Sequence, residues 1–240
     1  MVIGMPEYNN QLLTADSSFG LSETQRKLLQ FEQDSLRRKF LQYLGSANSE
    51  AEMHYFLEAN PAIVPGLYDL HNGPVANIVI SKLQLSSEFV TDFAFISCNS
   101  AVAQITLVEI ESPKIQIFRE SDEEFTSSFN RSFQQLRDWF LWSDQNSVHI
   151  KDMFRSIYHR NIFRHQKVLI RCVLVAGRRS DIKISAKREK RWAGLNSNPI
   201  HVMTYDRLAS IEAFNPRILN KLRCIPARLV SKAIRSQGDE

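Results

Sequence analysis

Three carboxylates lie within two runs of sequence that otherwise read as the interior of an apolar β-sheet. Residues 89–96 and 105–111 are rich in β-branched and aromatic side chains, and this composition predicts two strands. Between them, residues 98–104 are small and polar and predict the turn. A hairpin centred between Ser100 and Ala101 sets Asp92 directly opposite Glu109, with Cβ atoms about 5 Å apart. The two-residue period of a strand then puts Glu111 on the same face as Glu109. Three like charges on one patch of such a sheet destabilise it, and a divalent cation is the simplest relief. Hard cations such as Mg²⁺ take one or two carboxylates, keep several waters and share their remaining positions with phosphates. That arrangement activates water for phosphodiester hydrolysis. The competing reading is a pair of strand ends whose acids emerge into solvent.

The distribution of charge points the same way. The net charge of the 240-residue chain is only +4, but residues 1–150 hold 10 Lys/Arg against 19 Asp/Glu, and residues 151–240 hold 20 against 7. An acidic half beside a basic half suits an enzyme that cleaves a polyanion, with cations on the backbone phosphates and carboxylates on the metal. The densest cationic run is Arg178, Arg179, Lys183, Lys187, Arg188, Lys190 and Arg191. Of these, Arg178, Arg179, Lys187 and Arg188 are the candidate DNA contacts. A basic surface serving solubility alone is the competing reading.

With 43% hydrophobic residues the chain can bury a substantial core. Cys98, Cys172 and Cys224 are odd in number and widely spaced, with no C-x-x-C pair. They argue against a disulfide framework or a zinc site and for a reducing compartment. Residues 1–18 lack a basic region followed by an apolar core, so no secretory signal is expected. The longest apolar stretch, 168–176, is interrupted by Arg171 and is too short to span a bilayer. A soluble, cytoplasmic protein is expected.

Along the chain, residues 1–20 read as weakly structured. A helix is expected over 21–44, anchored by Leu28, Phe31, Leu36, Phe40 and Leu44 and stopped by Gly45. A second runs from Ser49 to Asn60-Pro61. The apolar run 62–70 and segment 75–85 supply a short element and the first strand, before the acidic hairpin ending at Pro113. Residues 120–124 form a polar bridge into a helix over 125–142. Its core face is Phe129, Phe133, Leu136 and Phe140, and Arg131, Gln135 and Trp139 share another face. A buried strand at 167–176, a basic helix at 185–195, a short strand at 200–204, a helix from Tyr205 and a basic C-terminal region complete the chain. This order predicts a mixed α/β sheet with helices on both sides. Residues 1–45 are read as a tail and helix, and 46–240 as the main domain.

The order of acidic strand, E-x-E strand, glutamine-bearing helix and buried strand resembles the PD-(D/E)XK nuclease fold, and within it the Shedu anti-phage defence family. The matching strings are Phe56-Leu57-Glu58-Ala59-Asn60-Pro61, Thr91-Asp92-Phe93, Val108-Glu109-Ile110-Glu111-Ser112-Pro113, Gln135-Leu136-Arg137-Asp138-Trp139, Val175-Ala176-Gly177-Arg178 and Thr204-Tyr205-Asp206-Arg207-Leu208. Together they cover roughly residues 46–215. The resemblance implies Mg²⁺-dependent cleavage of DNA, with Mn²⁺ a possible substitute, often by a homo-oligomer. It makes Asp92 and Glu109 metal ligands, joined by Glu111 as a third acid. Gln135 matches a glutamine that bonds near the scissile phosphate or metal water, and Trp139 stands where a tyrosine is more usual. Glu50 sits where some relatives place an accessory acid.

Glu111 occupies the position usually held by the motif's lysine, and a carboxylate supplies no positive charge there. Lys114, just past Pro113, is the candidate to reach back and replace it. Should nothing replace it, the fold becomes a nucleic-acid- or protein-binding module without catalysis. Other chemistries find no support, since no H-x-H or H-E-x-x-H spacing, P-loop or G-x-S-x-G elbow occurs.

Overall fold

The computed structural model describes residues 22–64, 74–158, 167–196, 199–209 and 222–227. The expected N-terminal tail, most of the apolar run 62–70 and most of the basic C-terminal region lie outside these residues. Helix α1 (Glu23–Ser46) begins at Ser22, which exchanges hydrogen bonds with Gln25 in a capping box. Helix α2 (Glu50–Ala59) begins the same way, with Ser49 and Glu52. Only the second half of α1 joins the core. Phe40 and Leu44 are buried, whereas Leu28 and Phe31 are 57% and 64% exposed. The expected anchoring by Leu28 and Phe31 therefore fails: of a helix of 24 residues, about 36 Å long, only the C-terminal half is buried in the core. Gly45 does not stop the helix either. It lies in the last turn, where added methyl volume would meet nothing, and the chain leaves the helix at Ala47.

A 3-10 turn at Val75–Asn77 leads into β1 (Ile78–Ser81), followed by β2 (Phe93–Cys98) and β3 (Val102–Ile110). Helices α3 (Ser127–Gln145) and α4 (Ser147–Tyr158) precede β4 (Lys167–Val175). Then come α5 (Arg179–Ile182), α6 (Ala186–Leu195), β5 (Ile200–Met203), α7 (Tyr205–Leu208) and β6 (Arg223–Pro226). The strands form one sheet in the order β5-β4-β3-β2-β1-β6. Pairs β1/β2 and β2/β3 are antiparallel, while β3/β4, β4/β5 and β1/β6 are parallel. The fold is thus the mixed α/β sheet expected, with helices on both faces.

One face carries Phe93, Val108, Ile110 and Val175 beneath α1, α2 and α7, which contribute Phe40, Met53, Phe56, Leu57, Tyr205 and Leu208. The other carries Ile105, Leu107, Cys172 and Leu174 beneath Phe129, Leu136, Trp139, Ile150, Phe154 and Ile182. On α3 the buried stripe is Phe129, Ser132, Leu136, Trp139 and Ser143. Trp139 is therefore core rather than a member of a separate polar face, and Phe133 and Phe140 flank the stripe half-buried. Helix α4 and strand β6 were not expected. The polar residues of α4 mask the i, i+4 pair Ile150 and Phe154, and β6 has four residues including a proline. Among the described residues no helix is long and apolar enough to cross a membrane.

One glycine ties the sheet's C-terminal edge together. Gly177 follows β4 at φ +59°, donates to the Ser112 carbonyl at 3.4 Å and accepts from the Tyr205 amide at 3.2 Å. A Cβ there would sit 3.0 Å from both the Ile115 carbonyl oxygen and Ile117 Cδ1. Gly177→Ala should cost about 1–3 kcal/mol, read as a lower urea midpoint at unchanged slope.

Candidate functional site

The turn that sets the hairpin register is closed by Asn99, whose side-chain oxygen accepts from the amides of Ala101 at 2.8 Å and Val102 at 2.7 Å. Phe93 pairs with Val108 and each later pair keeps that register. Asp92 therefore faces Glu109 across the strands, as expected from a centre between Ser100 and Ala101. The Asp92 amide donates to the Val108 carbonyl at 3.1 Å, and its carboxylate accepts from the Ile110 amide at 2.8 Å. Asp92 is only 3% exposed.

Each acid also has a donor of its own. The Lys82 ammonium reaches the Asp92 carboxylate from the end of β1, held there by a backbone at φ +53° and by the Lys82 amide on the Asp92 carbonyl at 2.9 Å. Gln135 on α3 donates to Glu109 at 2.8 Å. Ser132, one helical turn earlier, donates to the Glu111 carboxylate, and the Tyr205 hydroxyl donates to the Glu111 carbonyl at 2.6 Å. His54 stacks on Phe93 with ring centroids 4.7 Å apart. Its Nε2 lies 3.8 Å from the Asp92 carboxylate and its Nδ1 lies 3.7 Å from that of Glu58.

The electrostatics follow from this crowding. Burial pushes Glu109 up to about 10, with repulsion by Asp92, a hydrogen bond to Asp92 and repulsion by Glu50 and Glu111 adding to it. Glu50, on the first turn of α2, is raised first by desolvation, then by Asp92 and Glu111, while Lys82 pulls it down. Tyr205 is raised by burial and then by the same acids.

Four acids thus share one electrostatic neighbourhood, and their donor set of hard carboxylate oxygens fits a cation such as Mg²⁺. The three acids do not, however, converge as a finished cage. Among the described residues no group of three or more His, Cys, Asp or Glu side chains is set to hold an ion. Glu109 keeps its hydrogen bond to Asp92, and each acid also has a separate donor: Lys82 and Ile110 for Asp92, Gln135 for Glu109, Ser132 for Glu111.

Lys114 does not reach back. Its ammonium bonds the Asn48 side chain and is exposed, because the turn after Pro113 carries it toward the start of α2. The lysine beside Asp92 is Lys82, which the sequence reading missed. Its one visible signal is a cation closing the apolar run Ile78-Val79-Ile80-Ser81. His54 was equally hidden, although Glu50, His54 and Glu58 recur at four-residue steps on α2.

The cationic run divides. Arg188 is 3% exposed, paired with Asp181 and Glu123 and set over the Phe118 ring, so it braces the fold and cannot contact DNA. Arg178 grips Asp206 through Nε at 3.2 Å and Nη2 at 3.0 Å. Lys187 bonds the Asp122 carbonyl at 2.9 Å, and Arg191 pairs with Glu124. The acidic bridge 120–124 is therefore the counter-charge of α6. Arg179 is left exposed, with its backbone amide on Asp206 at 2.6 Å.

A family model described as Shedu protein SduA, C-terminal, matches residues 47–209 of this chain. No curated protein matches it.

Two outcomes follow. Glu109 holds in the folded state a proton that the unfolded chain releases near 4.5. Metal-free stability should therefore fall as pH rises from that value toward about 10. Glu109→Gln should flatten this slope and raise Tm at pH 8 in EDTA, with little change at pH 4. Removing one partner of a buried ion pair costs about 3–5 kcal/mol, so Arg188→Ala should unfold at far lower urea than wild type. The exposed Lys187→Ala should shift stability by less than about 0.5 kcal/mol.

Proposed function

The chain belongs to the Shedu SduA C-terminal family, and on that premise we propose that it is a metal-dependent DNA endonuclease acting in defence against phage. The observation that carries the reading is Asp92 facing Glu109 on one side of the sheet, with a lysine on Asp92 and a glutamine on Glu109. Asp92 and Glu109 would hold Mg²⁺, or Mn²⁺ in its place, with Glu111 as the third acid. A cation held there would supply a lowered water pKa and a counter-charge for the phosphate. Lys82 supplies the positive charge that the E-x-E motif lacks at Glu111, and its half-exposed side chain lets it meet a phosphate oxygen as well as Asp92. The Gln135 amide, which donates to Glu109 at 2.8 Å, would orient the attacking water beside a cation held there. Tyr205 fixes the strand end that carries Glu111. Self-association, which the family resemblance implies, belongs to the same reading and is reported by light scattering.

Purified protein incubated with linear and circular DNA should cleave only with Mg²⁺ or Mn²⁺. Asp92→Asn preserves an acceptor for the Ile110 amide and should lower the rate by more than about 100-fold without unfolding. Lys82→Met should lower it by about 100-fold or more, in the range of losing one preorganised electrostatic group. Lys114→Met should leave it unchanged. Cleavage that survives in both Asp92→Asn and Glu109→Gln sinks the proposal. The alternative, a silent fold that binds nucleic acid, rests on Glu111 standing where the motif carries lysine. Calorimetry separates the two, because a silent fold shows no Mn²⁺ binding that depends on Asp92.

A further inference from the structure

Open α/β sheets bind ligands outside the carboxyl ends of their strands. At that edge the chain leaves β4 into α5 and α6, and leaves β5 into α7. Between these exits lies a cavity of ≈ 280 Å³. Its lining includes buried Ile182 and Met203, half-buried Trp192, and the exposed Arg179, Lys183 and Arg207 that form its rim. Small-molecule sites begin at about 300 Å³, so the space suits one small ligand and not a length of duplex.

Three cations from two segments meet here, Arg179 and Lys183 at the two ends of α5 and Arg207 on α7. Among the described residues none of their side chains forms a salt bridge, in contrast to Arg178, Arg188 and Arg191, which are matched by Asp206, Asp181 and Glu124. Asp206 offsets part of the Arg179 charge, but its carboxylate is hydrogen-bonded to the Arg178 guanidinium and the Arg179 amide and to none of the three cationic side chains. Glu189 is the one acid on the lining, leaving three positive charges against one negative. Trp192 is half-buried and packs against Phe129 at a ring distance of 5.9 Å. Gathered cations favour an anion, and arginines favour the bidentate oxygens of a phosphate. An indole beside them offers a base a stacking surface.

We propose that this cavity binds a single phosphorylated nucleoside, with its phosphate on Arg179, Lys183 and Arg207 and its base against Trp192. The ligand is either a free mononucleotide or the terminal nucleotide of a 5′-phosphorylated strand. This proposal is independent of the acid cluster and is tested in EDTA, where no cleavage occurs.

Calorimetry on the full chain uses dAMP, inorganic phosphate, and one oligonucleotide in 5′-phosphorylated and 5′-hydroxyl forms. For a free nucleotide, dAMP binds at least tenfold tighter than phosphate, and Arg207→Ala or Lys183→Ala each weakens it about tenfold. For a strand end, the 5′-phosphorylated oligonucleotide outbinds its 5′-hydroxyl form, and Arg207→Ala erases that difference. Trp192→Phe retains most binding and Trp192→Ala loses it, with circular dichroism confirming that both fold. Phosphate binding as tightly as dAMP, binding indifferent to Arg207 and Lys183, or no binding by any probe overturns the proposal.

Discussion

The hydrogen bond between the Asp92 carboxylate and the Ile110 amide, at 2.8 Å, is the contact on which the candidate site turns. It locks the entry of β2 against the exit of β3, so that two acids face each other with no freedom to slide apart. A slip of one residue would send one of them to the opposite face of the sheet. The Asn99 turn and the apolar alternation of both strands prevent that slip, since each face is covered by its own helix layer. Register is thus secured by burial, and the acids are carried along by it.

Carboxylates forced together this way are unstable unless each is met by a donor, and the helices and neighbouring strand supply them. Ser132 and Gln135 lie on successive turns of α3 and reach Glu111, just past the end of β3, and Glu109, two residues earlier. Helical and strand periods meet on one patch. Lys82 adds the charge from β1, at a backbone angle that few non-glycine residues adopt. The proton retained by Glu109 belongs to the same balance, because burial and three neighbouring acids all disfavour its ionised form.

The opposite charges of the two halves of the chain serve the fold before they serve any partner. Residues 120–124 lie against α6, and Arg188, Lys187 and Arg191 are engaged there. A run that looked like a polyanion surface is therefore largely an internal brace. Arg179, Lys183 and Arg207 form no such ion pair among the described residues, since Asp206 is held by Arg178 and the cavity they line carries one acid, Glu189.

Much of this was legible in the linear chain. Local alternation and turn chemistry located both hairpin strands and their register, and hence the face shared by Asp92 and Glu109. Helical spacing located α2, α3 and α6, because a period is written in consecutive residues. Which lysine stands beside the acids was not legible. Lys82 and Lys114 are both cations near a strand end, and only the path of the chain brings one to Asp92 and the other to Asn48. The same holds for Arg188, buried although it sits in the most polar stretch, and for Phe31, exposed although it sits in an amphipathic one. Which element packs over which is a long-range matter, in which the area and charge of distant segments outweigh the preference of any local window.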